Sequence, residues 1–230
     1  MFNVAVVLGA GNGTRMGIDK SKMLIDIGGK PVIQRSVEAF LDLPQVDEII
    51  VVCRECDVEA FSDILESEKV SFVIGGDTRQ ESVKNAVEMI DECDYIIIHD
   101  GARPLVTQKA IINTYDKAVA CGAAATGVQV KDTIKVVDDK LLITDTPDRS
   151  SLISIQTPQI FNFNLYKKAI AQAEKEGRDY TDDCQLVENI GQKVYAVLGE
   201  YDNIKITTKE DILHAESIAV SYTHLTLPTT

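Results

Sequence analysis

Four short apolar runs, each ending in a glycine-rich or polar loop and separated by amphipathic stretches of helical length, constrain this chain more than any other feature. The runs are residues 4–8, 49–53, 70–74 and 95–98. Runs that do not alternate strictly with polar residues suit strands buried on both faces. The stretches between and after them, 31–41, 58–67, 78–90 and 108–120, carry the helical period. Pro31 suits a first helical turn, where its missing N–H costs nothing. Strands alternating with helices of this size predict βαβ units, hence an α/β fold with a mainly parallel sheet flanked by helices.

The pattern changes near residue 122. Residues 123–130 read as another central strand, and 133–137 with 140–144 read as a hairpin around Asp138-Asp139. A hairpin inserted there projects from the domain as an arm, roughly 131–152, placed to touch a second subunit. Residues 154–156 lead into Thr157-Pro158, read as a local stop. Helical patterns at 164–176 and 182–189, a strand at 194–198 and a last helix at 208–219 complete a single domain over residues 1–219. Residues 220–230 carry no formal charge, unlike the chain before them. They are read as a disordered or non-native extension and take no part in the functional argument.

Charge and cysteine usage exclude several function classes. The 23 basic against 36 acidic residues leave a net charge of −13, which argues against nucleic acid or an anionic membrane as partner. No apolar run approaches the ~20 residues that span a bilayer, and the first residues lack an export signal. Five cysteines at irregular spacing read as reduced thiols of a cytoplasmic protein. Cys53 and Cys56 have zinc-like spacing, but no second pair completes four ligands.

The chemistry begins with Gly9-Ala10-Gly11-Asn12-Gly13-Thr14-Arg15-Met16-Gly17, directly after the first strand, with Lys22 seven residues beyond Arg15. Glycines there let successive N–H groups approach phosphate oxygens. The letters match neither a Walker A loop nor a dinucleotide fingerprint, and a ligand-free glycine turn is the plain alternative. Four further segments decide between them: Gly75-Gly76-Asp77-Thr78-Arg79-Gln80-Glu81-Ser82; His99-Asp100-Gly101-Ala102-Arg103-Pro104; Asp148-Arg149-Ser150-Ser151 with Gln156-Thr157-Pro158-Gln159; and Asn203-Ile204-Lys205-Ile206-Thr207. The first two follow predicted strands at their carboxyl ends, where open α/β sheets bind ligands.

With these five segments in order, the chain from residue 3 to about 219 resembles the 2-C-methyl-D-erythritol 4-phosphate cytidylyltransferases. The resemblance implies a Rossmann-like nucleotidyltransferase fold, transfer of CMP from CTP to a polyol phosphate with release of pyrophosphate, Mg²⁺ dependence, and a homodimer formed through the β-arm. It implies that Gly9, Ala10, Gly11 and Gly13 cradle the triphosphate, with Arg15 and Lys22 stabilising the transition state. Gly76, Asp77 and Ser82 would read cytosine and ribose, and Asp100 would lie near the metal. Thr133, Arg149, Thr157, Thr181 and Lys205 would hold the methylerythritol phosphate, with Arg149 and Lys205 on its phosphate. Gly9 stands where the family more often has alanine, and Ser21-Lys22-Met23 replaces the usual Pro-Lys-Gln.

Plainer readings stand beside these. Lys20 is a surface lysine, His99 and Arg103 organise structure, and His214 and His224 are bystanders. The alternative substrate is ribitol 5-phosphate, and the alternative class is a non-catalytic nucleotide-binding module.

Overall fold

The alternation resolves into a seven-stranded sheet because each apolar run feeds two cores at once. The computed structural model describes residues 1–11 and 21–225, with side chains through residue 220. Strand β1 (Asn3–Leu8) lies inside the sheet. Its Val4 and Val6 enter the core on one face, and its Ala5 and Val7 enter the core on the other, as side chains two residues apart must. Strand β1 pairs in parallel with β4 (Glu48–Cys53), which pairs in parallel with the edge strand β5 (Val70–Ile74). On its other side β1 pairs in parallel with β6 (Tyr95–Asp100). Then follow β10 (Ile153–Asn162), β7 (Ala123–Gln129) and β11 (Tyr195–Leu198). Strand β10 is antiparallel to both neighbours, so it alone is reversed in a sheet of otherwise parallel strands.

Helices α1 (Val32–Leu41), α2 (Val58–Ile64), α4 (Gln108–Cys121) and α7 (Lys209–Leu225) cover one face, placing Phe40, Phe61, Ile111 and Ala215 in its core. Helices α3 (Arg79–Glu88), α5 (Phe163–Glu176) and α6 (Asp183–Glu188) cover the other with Val83, Tyr166 and Val187. Thr78, Thr107 and Asn162 cap α3, α4 and α5 through side-chain oxygens, each contributing about 1 kcal/mol. Gly122 ends α4 at φ 87°, in the left-handed region that glycine takes without strain. Among the described residues no helix is long and apolar enough to cross a membrane.

Two expectations need correction. Thr157-Pro158 does not stop a strand: β10 passes through it. The ladder with β7 shifts register between Ile155 and Gln159, so the residue without an N–H sits where no regular ladder bond is required. The last helix does not end at residue 219 but runs to Leu225. No glycine or proline interrupts it before Pro228, which lies with 226–230 outside the described residues.

The arm is a small hairpin of β8 (Val136–Val137) and β9 (Ile143–Asp145), with strands shorter than the sequence suggests. Asp138 closes its tip by accepting the N–H groups of Lys140 and Leu142 at 2.9 Å each. Its side chains include Ile134, Val136, Val137, Leu141, Leu142 and Ile143, all exposed, with Leu141 at 80%.

Candidate active site

The carboxyl ends of β1, β4, β5 and β6 open into a cleft of about 610 Å³ lined by Ala10, Gly11, Lys22, Gly75, Gly76, Asp77, Ser82, Asp100 and Lys205. Thus most of the predicted nucleotide-contacting residues meet in one place. Gly9 lies against β4 instead: its N–H donates to the Val52 carbonyl at 2.7 Å, and a Cβ would come within 3.0 Å of that oxygen. Gly13 and Arg15 lie outside the described residues. Ser21 caps a short 3₁₀ turn, Lys22–Leu24, whose Met23 is buried. That turn presents Lys22 to the cleft, where its Nζ donates to the Ile206 carbonyl at 3.3 Å.

The wall opposite is the turn before α3. Gly75 donates to the Cys53 carbonyl, Gly76 N–H to Ser82 Oγ at 3.1 Å, and Asp77 N–H to Glu81 Oε2 at 2.8 Å. A Cβ on Gly75 would lie 2.6 Å from Ala10 Cβ and 2.9 Å from Ser82 Oγ. Gly75→Ala is therefore expected to cost about 1–3 kcal/mol of stability through overpacking and to raise KM for the nucleotide by displacing the loop. Urea unfolding and steady-state kinetics check both; a variant with unchanged stability and KM contradicts the close approach.

A second cleft of about 240 Å³ adjoins the first and is lined by Arg79, Asp100, Arg103, Thr157, Gln159, Thr181 and Lys205, among others. Arg79, Asp100 and Lys205 belong to both clefts and form the junction. Lys205 Nζ donates to Asp100 Oδ2 at 2.7 Å, Arg79 Nε lies 3.5 Å from Oδ1, and Arg103 Nε lies 4.0 Å from Oδ2. Burial by itself would raise the Asp100 carboxyl, but Arg79, Lys205 and Arg103 outweigh it and hold it well below the usual carboxylate range.

The lysine-bearing segment is held by Asn203, 1% exposed, which donates to the Thr157 carbonyl at 2.9 Å and accepts from Arg103 Nη1 at 2.7 Å. Arg103 thus takes the organising place expected of it. His99 is fully buried, its Nε2 3.1 Å from the Arg103 carbonyl and its Nδ1 3.0 Å from Thr157 Oγ1. A carbonyl can only accept, so Nε2 carries the proton and the Thr157 hydroxyl donates to Nδ1. Thr157 Oγ1 in turn accepts the Asp100 N–H at 3.1 Å. Burial lowers the His99 pKa to about 4, against the opposing pull of Asp100. With both nitrogens committed, His99 fixes the backbone of Asp100 and is not placed as a general base.

Of the residues expected on the second substrate, Thr157, Thr181 and Lys205 line the smaller cleft. Thr133 and Arg149 do not meet them within one chain: both are exposed on the arm, and Arg149 Nη1 donates to the Lys131 carbonyl at 2.7 Å. Sequence reasoning assigned no role to Arg79 or Asp183, which pair at 2.5 Å beside the junction. One signal was available for Arg79. It stands in the first turn of α3, the end of a helix where a cation is electrostatically disfavoured, so it needs a partner or a task.

A glycine-rich sequence at the end of β1, a cationic junction and a second polar cleft beside the first fit a nucleotide-dependent transferase on a mainly parallel α/β sheet. Residues 3–221 match the family 2-C-methyl-D-erythritol 4-phosphate cytidylyltransferase. The enzyme of that name from Clostridium perfringens (strain SM101 / Type A) is 44% identical over 217 residues, covering 93% of this chain and 96% of that protein. Its namesake from Caldanaerobacter subterraneus subsp. tengcongensis is 46% identical over 218 residues, covering 92% and 96%. The crystal structure of 4-diphosphocytidyl-2C-methyl-D-erythritol synthase from Anaerococcus prevotii DSM 20548 superposes with a TM-score of 0.85 at 33% identity, covering 94% of this chain and 95% of that one. The chain belongs to the 2-C-methyl-D-erythritol 4-phosphate cytidylyltransferase family.

Proposed function

We propose that this protein transfers CMP from CTP to 2-C-methyl-D-erythritol 4-phosphate, a step of isoprenoid precursor synthesis. The larger cleft takes CTP and the smaller takes the polyol phosphate. The observation that carries this reading, beside family membership, is that the two clefts share one cationic junction. An oxygen of the polyol phosphate attacks the α-phosphorus of CTP, a new P–O bond forms, and the bond to the β-phosphate breaks to release pyrophosphate. The nucleophile is already an anion, so the reaction needs charge neutralisation and alignment rather than a strong base. Lys22, Arg15 and Lys205 supply positive charge, and the loop amides of Ala10, Gly11 and Gly13 receive phosphate oxygens. Gly76, Asp77 and Ser82 face the nucleoside.

Magnesium belongs to the same reading. Among the described residues no group of three or more His, Cys, Asp or Glu side chains could hold a metal. Mg²⁺ commonly needs only one or two carboxylates plus substrate phosphates. Asp100 fits that role, and the ion would supply neutralisation of triphosphate charge there.

Arg149 and Thr133 enter through a homodimer. Six exposed apolar side chains on the arm make a surface that a single chain leaves uncovered. An arm laid against a second subunit covers it and carries Arg149, whose guanidinium suits bidentate phosphate binding, to that subunit's smaller cleft. All five cysteines are free thiols, which suits the cytoplasm.

Incubating the protein with Mg²⁺, CTP and either methylerythritol phosphate or ribitol 5-phosphate, and following pyrophosphate, tests the reaction. Release with the first is expected. Turnover with ribitol 5-phosphate alone, or tight CTP binding without turnover on either, overturns the proposal.

A further inference from the structure

Arg79 lines both clefts, and one side of it is held rigidly. Its Nη1 donates to Asp183 Oδ2 at 2.5 Å. Asp183 is 3% exposed, and its other oxygen accepts the hydroxyl of the fully buried Tyr166 at 2.5 Å. Nε lies 3.5 Å from Asp100 Oδ1, while Nη2 makes no hydrogen bond among the described residues. The guanidinium is therefore held at Nη1 by a carboxylate that is itself anchored, with a quarter of the side chain still accessible. A mere staple between α3 and α6 would be served as well by apolar residues, without the desolvation cost of buried charge. Nor would a staple need to stand at the meeting point of the two clefts. Negative charge spreads over the five-coordinate phosphorus at such a junction, and a pre-oriented cation there acts more strongly on the transition state than on either bound substrate.

We propose that Arg79 is a further catalytic residue of the transfer, its Nη2 edge meeting phosphate oxygens where the two substrates join, and that Asp183, anchored by Tyr166, is the positioning residue that aims it. This rests on the cytidylyl-transfer reading, and wild-type turnover in the same assay reports on that reading separately. Arg79→Ala is expected to lower kcat and kcat/KM together by about 100-fold, with KM for CTP within about threefold of wild type. Added guanidinium chloride at non-denaturing concentration should restore part of the lost rate to Arg79→Ala and none to Lys22→Ala. Asp183→Asn, nearly isosteric, should lower kcat about tenfold through misalignment. If Arg79→Ala does not fold, Arg79→Lys carries the test: it keeps the charge but loses the fork, and a kcat about tenfold lower at an unchanged Tm supports the role. A kcat within about twofold of wild type in Arg79→Ala, or in Arg79→Lys and Asp183→Asn together, overturns the proposal, as does the absence of guanidinium rescue in a folded Arg79→Ala.

Discussion

Co-expressed Lys205→Ala and Arg149→Ala subunits are expected to recover activity that neither variant has alone. Removing Lys205 takes the ammonium from the junction, where it lies 2.7 Å from Asp100 and lines both clefts. The loss of one such group costs about 100- to 1,000-fold. Removing Arg149 takes a guanidinium that lines neither cleft of its own chain, so a comparable loss in kcat/KM for the polyol phosphate requires the arm to act on another subunit. Random pairing makes half of the dimers mixed. In each of these, one site carries both defects and the other carries none, which restores roughly one quarter of the wild-type sites in a symmetric dimer. Measuring pyrophosphate release at sub-saturating polyol phosphate reads this directly. A mixture no more active than the average of its parents rules out exchange of arms.

The second large effect is on stability. His99 is buried with a pKa near 4 against its usual 6.5, so the folded state favours the neutral ring. A depressed histidine contributes fully above pH 6.5, and that contribution is lost as the pH falls toward 4, because the unfolded chain takes up the proton first. The expected loss is about 2 kcal/mol between pH 8 and 5 and roughly 3 kcal/mol in all. Asp100 adds little above pH 5, because its carboxyl is ionised there in the unfolded chain as well as in the folded one, where Arg79, Lys205 and Arg103 outweigh burial. Urea unfolding at pH 8 and pH 5 measures the slope. His99→Asn should be less stable at pH 8, having lost the Arg103 and Thr157 contacts, and should show a flatter pH dependence. An equal slope in variant and wild type assigns the effect elsewhere.

Much of the architecture was legible because its causes are local. Runs such as 4–8 and 49–53 have no polar face, so they had to lie inside a covered sheet. Thr78 and Thr107 stand where helix caps are needed, and α3 and α4 begin just after them. Pro158 misled for the converse reason. A proline forbids a ladder bond locally, but whether a bond is wanted there depends on the register of β7 across the sheet. The helix end at 219 was misplaced because lack of charge marks a change in composition, and composition does not break a helix.

The candidate site divides along the same line. The resemblance carried by five motifs implied Gly76, Asp77, Ser82, Asp100 and Lys205, and the cleft unites them. The sequence by itself therefore determined the order of strands and helices, the phosphate-suited loop and the family resemblance, because periodicity and motif spacing act over a few residues. Only the tertiary structure decided that Lys205 meets Asp100 across 105 residues, that Arg79 meets Asp183 across 104, and that Arg149 lines neither described cleft of its own chain. Ion pairs and cleft walls depend on distance in space, and that distance exists only once the sheet has brought its strand ends together.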